Sequence, residues 1–256
     1  MTEMGPFLAP LHDGRRPAGV VRRVVVVLAL LLVALTTATA CRSRSETSSA
    51  PAAASGTDGL PSALAGEPPA RPRIVVLGDS LAAGYGLPAD EAFPALLQRK
   101  VDELGYDYEV VNMGVSGDTS AGGLSRTDWA LEGDVRVLVV ALGGNDALRG
   151  LSPADMARNL GAIVDKARAR SVAVLLCGME APPNFGASYT AEFRAAFGRL
   201  AREKRVALVP FLLDGVGGVA ALNQADGIHP SAEGARRVAD NVWAGLQPLL
   251  DATATR

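Results

Sequence analysis

Arg73-Ile74-Val75-Val76-Leu77-Gly78-Asp79-Ser80 is the stretch that decides the fold. Ile74 to Leu77 is a continuous apolar run, with none of the alternation of a strand that keeps one face in water. A run of this kind marks a strand buried on both faces, as in a parallel sheet covered by helices. It stops at Gly78, where a glycine permits a tight turn. Asp79 and Ser80 follow at once, so a polar pair stands at the strand's carboxyl end.

The same unit recurs along the chain. Residues 73–77, 108–112, 135–142, 172–177 and 206–210 read as strands. Residues 90–104, 153–169 and 188–204 carry helical periodicity, 120–132 carries it less regularly, and 231–247 forms a final helix. Strand–helix alternation predicts an α/β domain with a parallel sheet. Right-handed crossovers then give a three-layer, doubly wound, flavodoxin-like arrangement of five strands. In such sheets ligands bind beyond the carboxyl ends of the strands. The polar residues obey that rule. Gly78-Asp79-Ser80 follows the first strand, residues 112–119 (Asn-Met-Gly-Val-Ser-Gly-Asp-Thr) the second, and Gly143-Gly144-Asn145-Asp146 the third.

These residue types can perform acyl transfer. A serine hydroxyl is a weak nucleophile at neutral pH and needs an adjacent base. His229, in Asp226-Gly227-Ile228-His229-Pro230, is the one imidazole of the globular region; the other, His12, lies in the leader. Asp226 is near enough in sequence to accept the second ring N–H and fix the tautomer. The order Ser…Asp…His is that of many α/β hydrolases, but the G-x-S-x-G elbow is absent. Each element also has a plain reading: Ser80 as a helix cap, and Asp226 to His229 as a turn before a helix. Donors for an oxyanion are available at the Ser80 N–H, the Gly117 N–H and the Asn145 side-chain amide. A turn glycine and a left-handed turn asparagine are the alternatives for the last two. Asp79 and Asp118 read as turn carboxylates that accept backbone N–H groups. Arg168 and Arg170, with Arg199, Arg202, Lys204 and Arg205, read as solvated helix ends.

Together the segments resemble the blocks of the SGNH, or GDSL, hydrolase superfamily over residues 73–248. Gly78-Asp79-Ser80-Leu81 matches the first block, Gly117 centres the second, Gly143-Gly144-Asn145-Asp146 matches the third and Asp226 to Pro230 the fifth. Within that superfamily the chain is most similar to bacterial arylesterases and the thioesterase I/protease I/lysophospholipase group. The resemblance implies Ser80 as nucleophile, His229 as general base and then acid, and Asp226 as the orienting carboxylate. It implies an oxyanion hole of Ser80, Gly117 and Asn145, and no metal or organic cofactor. It further implies substrate contacts from Ala147, Leu148, Arg149, Gly150 and Leu151. The loop 180–186 is expected to add Ala181, Pro182 and Phe185. Ala181 stands where relatives tend to carry a larger apolar residue.

Bulk properties bound the rest. The 256 residues are 48% hydrophobic and 20% charged, which fits one domain with an appendage. A net charge of −2 gives no electrostatic case for nucleic-acid binding. Two cysteines, Cys41 and Cys177, make no disulfide framework, and no Cys/His cluster has zinc-ligand spacing. Cys177 ends an apolar run and is expected to be a reduced core residue. Residues 1–40 follow the grammar of a signal peptide: Arg15, Arg16, Arg22 and Arg23, then the apolar run 24–34, then Ala38-Thr39-Ala40 before Cys41. That junction satisfies ordinary secretory cleavage and also resembles a lipobox, with Ala38 in place of the usual leucine. A lipid on Cys41 is the leading expectation, with plain secretion and an uncleaved anchor as alternatives. Residues 41–70, rich in Ser, Ala, Gly, Pro and Thr, read as a flexible tether. Residues 71–250 form the hydrolase domain and 251–256 a tail.

The leading expectation is therefore an exported, envelope-anchored, monomeric serine esterase acting on aryl, short-chain acyl or lysophospholipid esters. A carbohydrate O-deacetylase or an acyl thioesterase would use the same residues. A non-catalytic surface binding module has no need of all five.

Overall fold

The computed structural model of the chain describes residues 71–254. Five strands form one parallel sheet: β1 (Arg73–Gly78), β2 (Glu109–Gly114), β3 (Val135–Ala141), β4 (Ala173–Cys177) and β5 (Ala207–Val209). Their spatial order is β2-β1-β3-β4-β5, the flavodoxin-like winding. The central strands are buried on both faces, as their Val/Leu runs require; the edge strand β2 is only half-buried. Register keeps the carboxyl ends level, with Gly78 beside both Gly114 and Ala141, and Cys177 beside Val209. The loops after all five strands thus open at one edge.

Among the described residues, eight α-helices connect and cover the sheet: α1 (Ser80–Ala83), α2 (Phe93–Glu103), α3 (Ser120–Ser125), α4 (Thr127–Ala130), α5 (Gly144–Leu148), α6 (Pro153–Ala169), α7 (Ala187–Lys204) and α8 (Ala232–Ala254). α2 and α8 pack together, and α6 packs on α3 and α7, which gives the helix–sheet–helix layering. One core cluster runs through all layers, from Ile74 and Val76 in the sheet to Phe193, Phe197 and Leu246 in the helices. Cys177 lies in it as a free, buried thiol.

Three boundaries differ from expectation for physical reasons. The helix expected at 90–104 is divided. A 3-10 turn occupies Ala89–Glu91, Ala92 is extended, and α2 begins with Pro94 in its first turn, where a missing N–H costs nothing. The helix expected at 120–132 is two short ones broken at Arg126, whose side chain is drawn inward. The last helix continues past 247, through Pro248, and absorbs residues 251–254 of the expected tail. Val242, Leu246 and Leu250 are fully buried at i, i+4, i+8, so packing of that stripe outweighs the bond lost at proline. Gly78 also has a different reason from the one expected. Its φ is not positive; a Cβ there would lie 2.5 Å from the Ala82 Cβ, so glycine is needed for α1 to pack on β1. The leader, Cys41, the tether and His12 lie outside the described residues.

Candidate active site

Ser80 is the first residue of α1, one turn of helix that starts where β1 ends. The cap is Asp79, whose carboxylate accepts the Leu81 N–H at 3.0 Å, so the capping role considered for Ser80 belongs to its neighbour. Gly84 closes the turn in the left-handed conformation (φ 72°). The Ser80 hydroxyl is left half-buried at the sheet edge, with no helix cap to satisfy.

His229 reaches it from a loop 149 residues away. Its Nε2 is 2.9 Å from Ser80 Oγ, and its Nδ1 is 2.7 Å from Asp226 Oδ2. The other Asp226 oxygen accepts the backbone N–H groups of Ile228 and His229, each at 3.0 Å. The bond from the His229 ring, reinforced by those two N–H groups, holds the Asp226 carboxyl down at about 2. An ionised carboxylate only accepts, so Nδ1 carries the hydrogen and Nε2 is the lone-pair nitrogen facing the hydroxyl. The Tyr85 ring lies over the imidazole, centroids 4.6 Å apart. Gln224 fastens the loop to the α1 side: its amide donates to the carbonyls of Tyr85 (2.7 Å) and Pro230 (3.0 Å).

On the other flank, α5 grips the loop after β2 at three points. Asn145 Nδ2 donates to the Asp118 carbonyl at 2.9 Å, and Arg149 donates to the Gly117 carbonyl at 2.9 Å. Buried Asp146 accepts the Ser120 N–H (2.7 Å) and hydroxyl (2.6 Å), and Asn159 donates to the same hydroxyl at 3.0 Å. Gly117 sits at φ 85°, a conformation that only glycine adopts without strain. Asn145 also makes a longer bond, 3.3 Å, to Asp79 Oδ2. Asp79 is 2% exposed, and burial pushes its carboxyl up to about 6 despite the Leu81 and Asn145 bonds. Asp118 pairs with Arg126 at 2.7 Å. The remaining guanidinium nitrogens donate to the carbonyls of Met113 (2.7 Å) and Gly78 (2.8 Å), which ties the ends of β1 and β2 to this loop. Asp79 thus accepts a backbone N–H as expected of a turn carboxylate, whereas the Asp118 carboxylate takes the Arg126 guanidinium in place of the expected backbone N–H.

A cavity of about 370 Å³ opens beside the pair. Ser80, Asn145 and His229 line it, with walls from Leu148, Ala181 and Phe211 among others. The structure therefore brings together Ser80, Asp226, His229 and Asn145. Ala147, Leu148, Ala181 and Pro182 also lie on its wall, where substrate contacts were expected. Arg149, Gly150, Leu151 and Phe185 do not. The chain turns at Gly150 (φ 62°), which is packed against Phe185, and the Leu151 carbonyl accepts the Tyr189 hydroxyl at 2.8 Å. Gly117 is exposed and is not among the lining residues. Sequence reasoning missed Met179, Phe211, Leu213, Gly217 and Gly218 on the lining. The signal was present: residues 211–219 follow β5 and carry three glycines, a loop at the same carboxyl edge. Among the described residues no group of three or more His, Cys, Asp or Glu is placed to hold a metal ion.

In chemical terms the arrangement offers a hydroxyl with a proton acceptor at hydrogen-bond distance, an acceptor whose tautomer is fixed, and an amide across an apolar-walled cavity. Comparison with known proteins agrees. Residues 76–237 match the model of the GDSL-like Lipase/Acylhydrolase family. The chain is 48% identical over 178 residues to esterase TesA of Pseudomonas aeruginosa, covering 69% of this chain and 89% of that one. It is 38% identical over 179 residues to the thioesterase 1/protease 1/lysophospholipase L1 of Escherichia coli K12, covering 70% and 85%. The crystal structure of TesA superposes with a TM-score of 0.67 at 47% identity, covering 69% of this chain and 99% of that one. With a family match that spans more than half of its length, the chain belongs to the GDSL-like lipase/acylhydrolases and is a hydrolase of the esterase type.

Proposed function

We propose that the protein hydrolyses small acyl, aryl or lysophospholipid esters outside the cytoplasm through an acyl-Ser80 intermediate. The observation that carries this reading is the hydrogen-bonded chain Ser80–His229–Asp226, 2.9 Å and 2.7 Å, opening on the cavity. His229 takes the Ser80 proton as the hydroxyl oxygen attacks the ester carbonyl, and returns it to the departing alcohol. Asp226 stabilises the imidazolium formed between those steps. Water then attacks the acyl-enzyme by the same route and releases the acid.

The oxyanion is held by the Ser80 N–H, the Gly117 N–H and the Asn145 amide. Asn145 exchanges its long bond to Asp79 for one to the oxyanion, where charge develops and the bond is stronger. The leader grammar before Cys41 supports export and lipid attachment. The lysophospholipase and esterase names of the relatives support the substrate class.

The TesA crystal structure consists almost wholly of the counterpart of this domain, which supports residues 71–256 as a folding unit. That fragment is to be assayed on p-nitrophenyl esters of C2 to C16 acids beside Ser80→Ala and His229→Ala. Turnover that falls by about four orders of magnitude in both variants is expected. Activity that survives in Ser80→Ala removes the nucleophile. A parent that acts on acetyl esters of polysaccharides alone moves the assignment to a carbohydrate deacetylase. Ala181 leaves room on the cavity wall, so Ala181→Leu is expected to shift the chain-length optimum to shorter acids; an unchanged profile places the acyl chain elsewhere.

A further inference from the structure

Large apolar side chains exposed to water are unevenly placed on this domain. Nine are exposed among the described residues, and seven of them stand at the carboxyl edge of the sheet: Tyr85, Val115, Leu148, Leu151, Phe185, Val219 and Ile228. They come from every strand's following loop. Tyr85 lies just beyond α1, Val115 directly after β2, Leu148 and Leu151 at the end of α5, Phe185 after β4, and Val219 after β5, with Ile228 beside His229. The other two, Leu104 and Trp129, precede β2 and β3 and belong to the opposite edge. Scattered exposed apolar residues need no explanation, but a ring of them around one opening does.

The ring is continuous with the cavity, because Leu148 and Ile228 belong to both. Its nearest charged side chains are held by bonds within the protein, although Arg149 keeps its charge. Asp226 is bonded to His229, Glu180 to Arg194 at 2.9 Å, and Arg149 donates to the Gly117 carbonyl. A rim that presents seven large apolar side chains suits hydrocarbon more than a charged headgroup.

We infer that this rim docks on the surface of a lipid aggregate, and that the enzyme takes its acyl esters from that surface. The inference rests on the ester-hydrolase reading above. Chain length outside the described residues fits it. The domain is entered at Arg73, on the edge opposite the rim. The 29 residues from 42 to 70 can span about 100 Å when extended, against a domain diameter of about 40 Å. A lipid on Cys41 would therefore leave the rim free to turn towards the membrane that holds the anchor.

The test uses fragment 71–256 carrying Ser80→Ala, which has no leader, co-sedimented with phosphatidylcholine vesicles containing lysophosphatidylcholine. The expected result is vesicle binding that Val115→Ser with Val219→Ser weakens about tenfold, neither residue being on the cavity wall. Leu104→Ser with Trp129→Ser, at the far edge, should leave binding unchanged. The same Val115/Val219 pair in the active fragment should retain hydrolysis of monomeric p-nitrophenyl acetate. Failure of the parent to bind, or equal losses from the far-edge pair, overturns the proposal. So does binding that needs acidic lipid and vanishes in salt, or a dimer that the rim substitutions dissociate. Loss of ester hydrolysis in the unmodified parent would instead strike at the functional reading, which the vesicle experiment does not use.

Discussion

Protonation separates the two aspartates nearest Ser80. Asp226, held at about 2 by the His229 ring bond and two backbone N–H groups, has a folded value below its ordinary one of 3.8. Its stabilising contribution is present above that ordinary value and is lost as pH falls towards 2, so it stays ionised wherever the enzyme is assayed. Asp79 has the opposite sign. Burial raises it from 3.8 to about 6, so between those values the folded protein keeps a proton that the unfolded chain has shed. Stability conferred by that site must fall as pH rises through the window, by about 3 kcal/mol in all. Denaturant titrations of the parent and Asp79→Asn from pH 4 to 7 should show the parent losing ground to the variant until about pH 6, then a constant difference. A difference that is flat throughout would mean an ordinary carboxyl. At this scale the sequence was legible where chemistry demands a residue type: one serine, one imidazole and one carboxylate at strand ends. It was not legible where a side chain acts through burial. Nothing in Asp79 or Asp146 as letters reveals that both are sunk beneath the sheet edge, one beside Asn145 and the other beneath Ser120.

Among the elements, Arg126 joins more parts of the site than any residue singled out from sequence. It pairs with Asp118 and bonds the carbonyls of Gly78, the last residue of β1, and Met113 near the end of β2, with its side chain only 14% exposed. Its planar fork meets three acceptors at once, a geometry that an ammonium cannot copy. Arg126→Lys is therefore expected to cost about 2–3 kcal/mol and to lower kcat with the loosened loop, as read by chemical denaturation and by turnover. A substitution without effect would show that α3 and the Gly117 loop hold themselves. Strands β1, β3 and β4 were readable because burial on both faces writes an uninterrupted apolar run. Edge strand β2 was placed within a residue or two by its single Val-Val pair. The division of the 120–132 helix was hidden, since an inward arginine looks like any surface arginine in a helical pattern. The substrate loop after α5 was carried too far by resemblance, because the turn at Gly150 takes Arg149, Gly150 and Leu151 off the wall.

Over the whole molecule, one core links the sheet and both helical layers, so Cys177 within it reports on global opening. It is fully buried, and burial pushes its thiol up to about 12. In fragment 71–256 an aromatic disulfide reagent should leave it unmodified under native conditions and should titrate it at the rate of unfolding in denaturant. Rapid native labelling would mean that the sheet breathes locally near β4. The same unity gives the arrangement of Asp226 and His229 a further meaning. Acid and base share one turn and complete their mutual bonds within four residues, while Gln224 fastens that turn to the stretch after α1. Of the contacts in the proton relay, only the one between His229 and Ser80 must be assembled across the tertiary structure. The relay is thus a prefabricated cartridge plugged into a socket. Once the cartridge is in place, the imidazole meets the serine with its tautomer already set by Asp226.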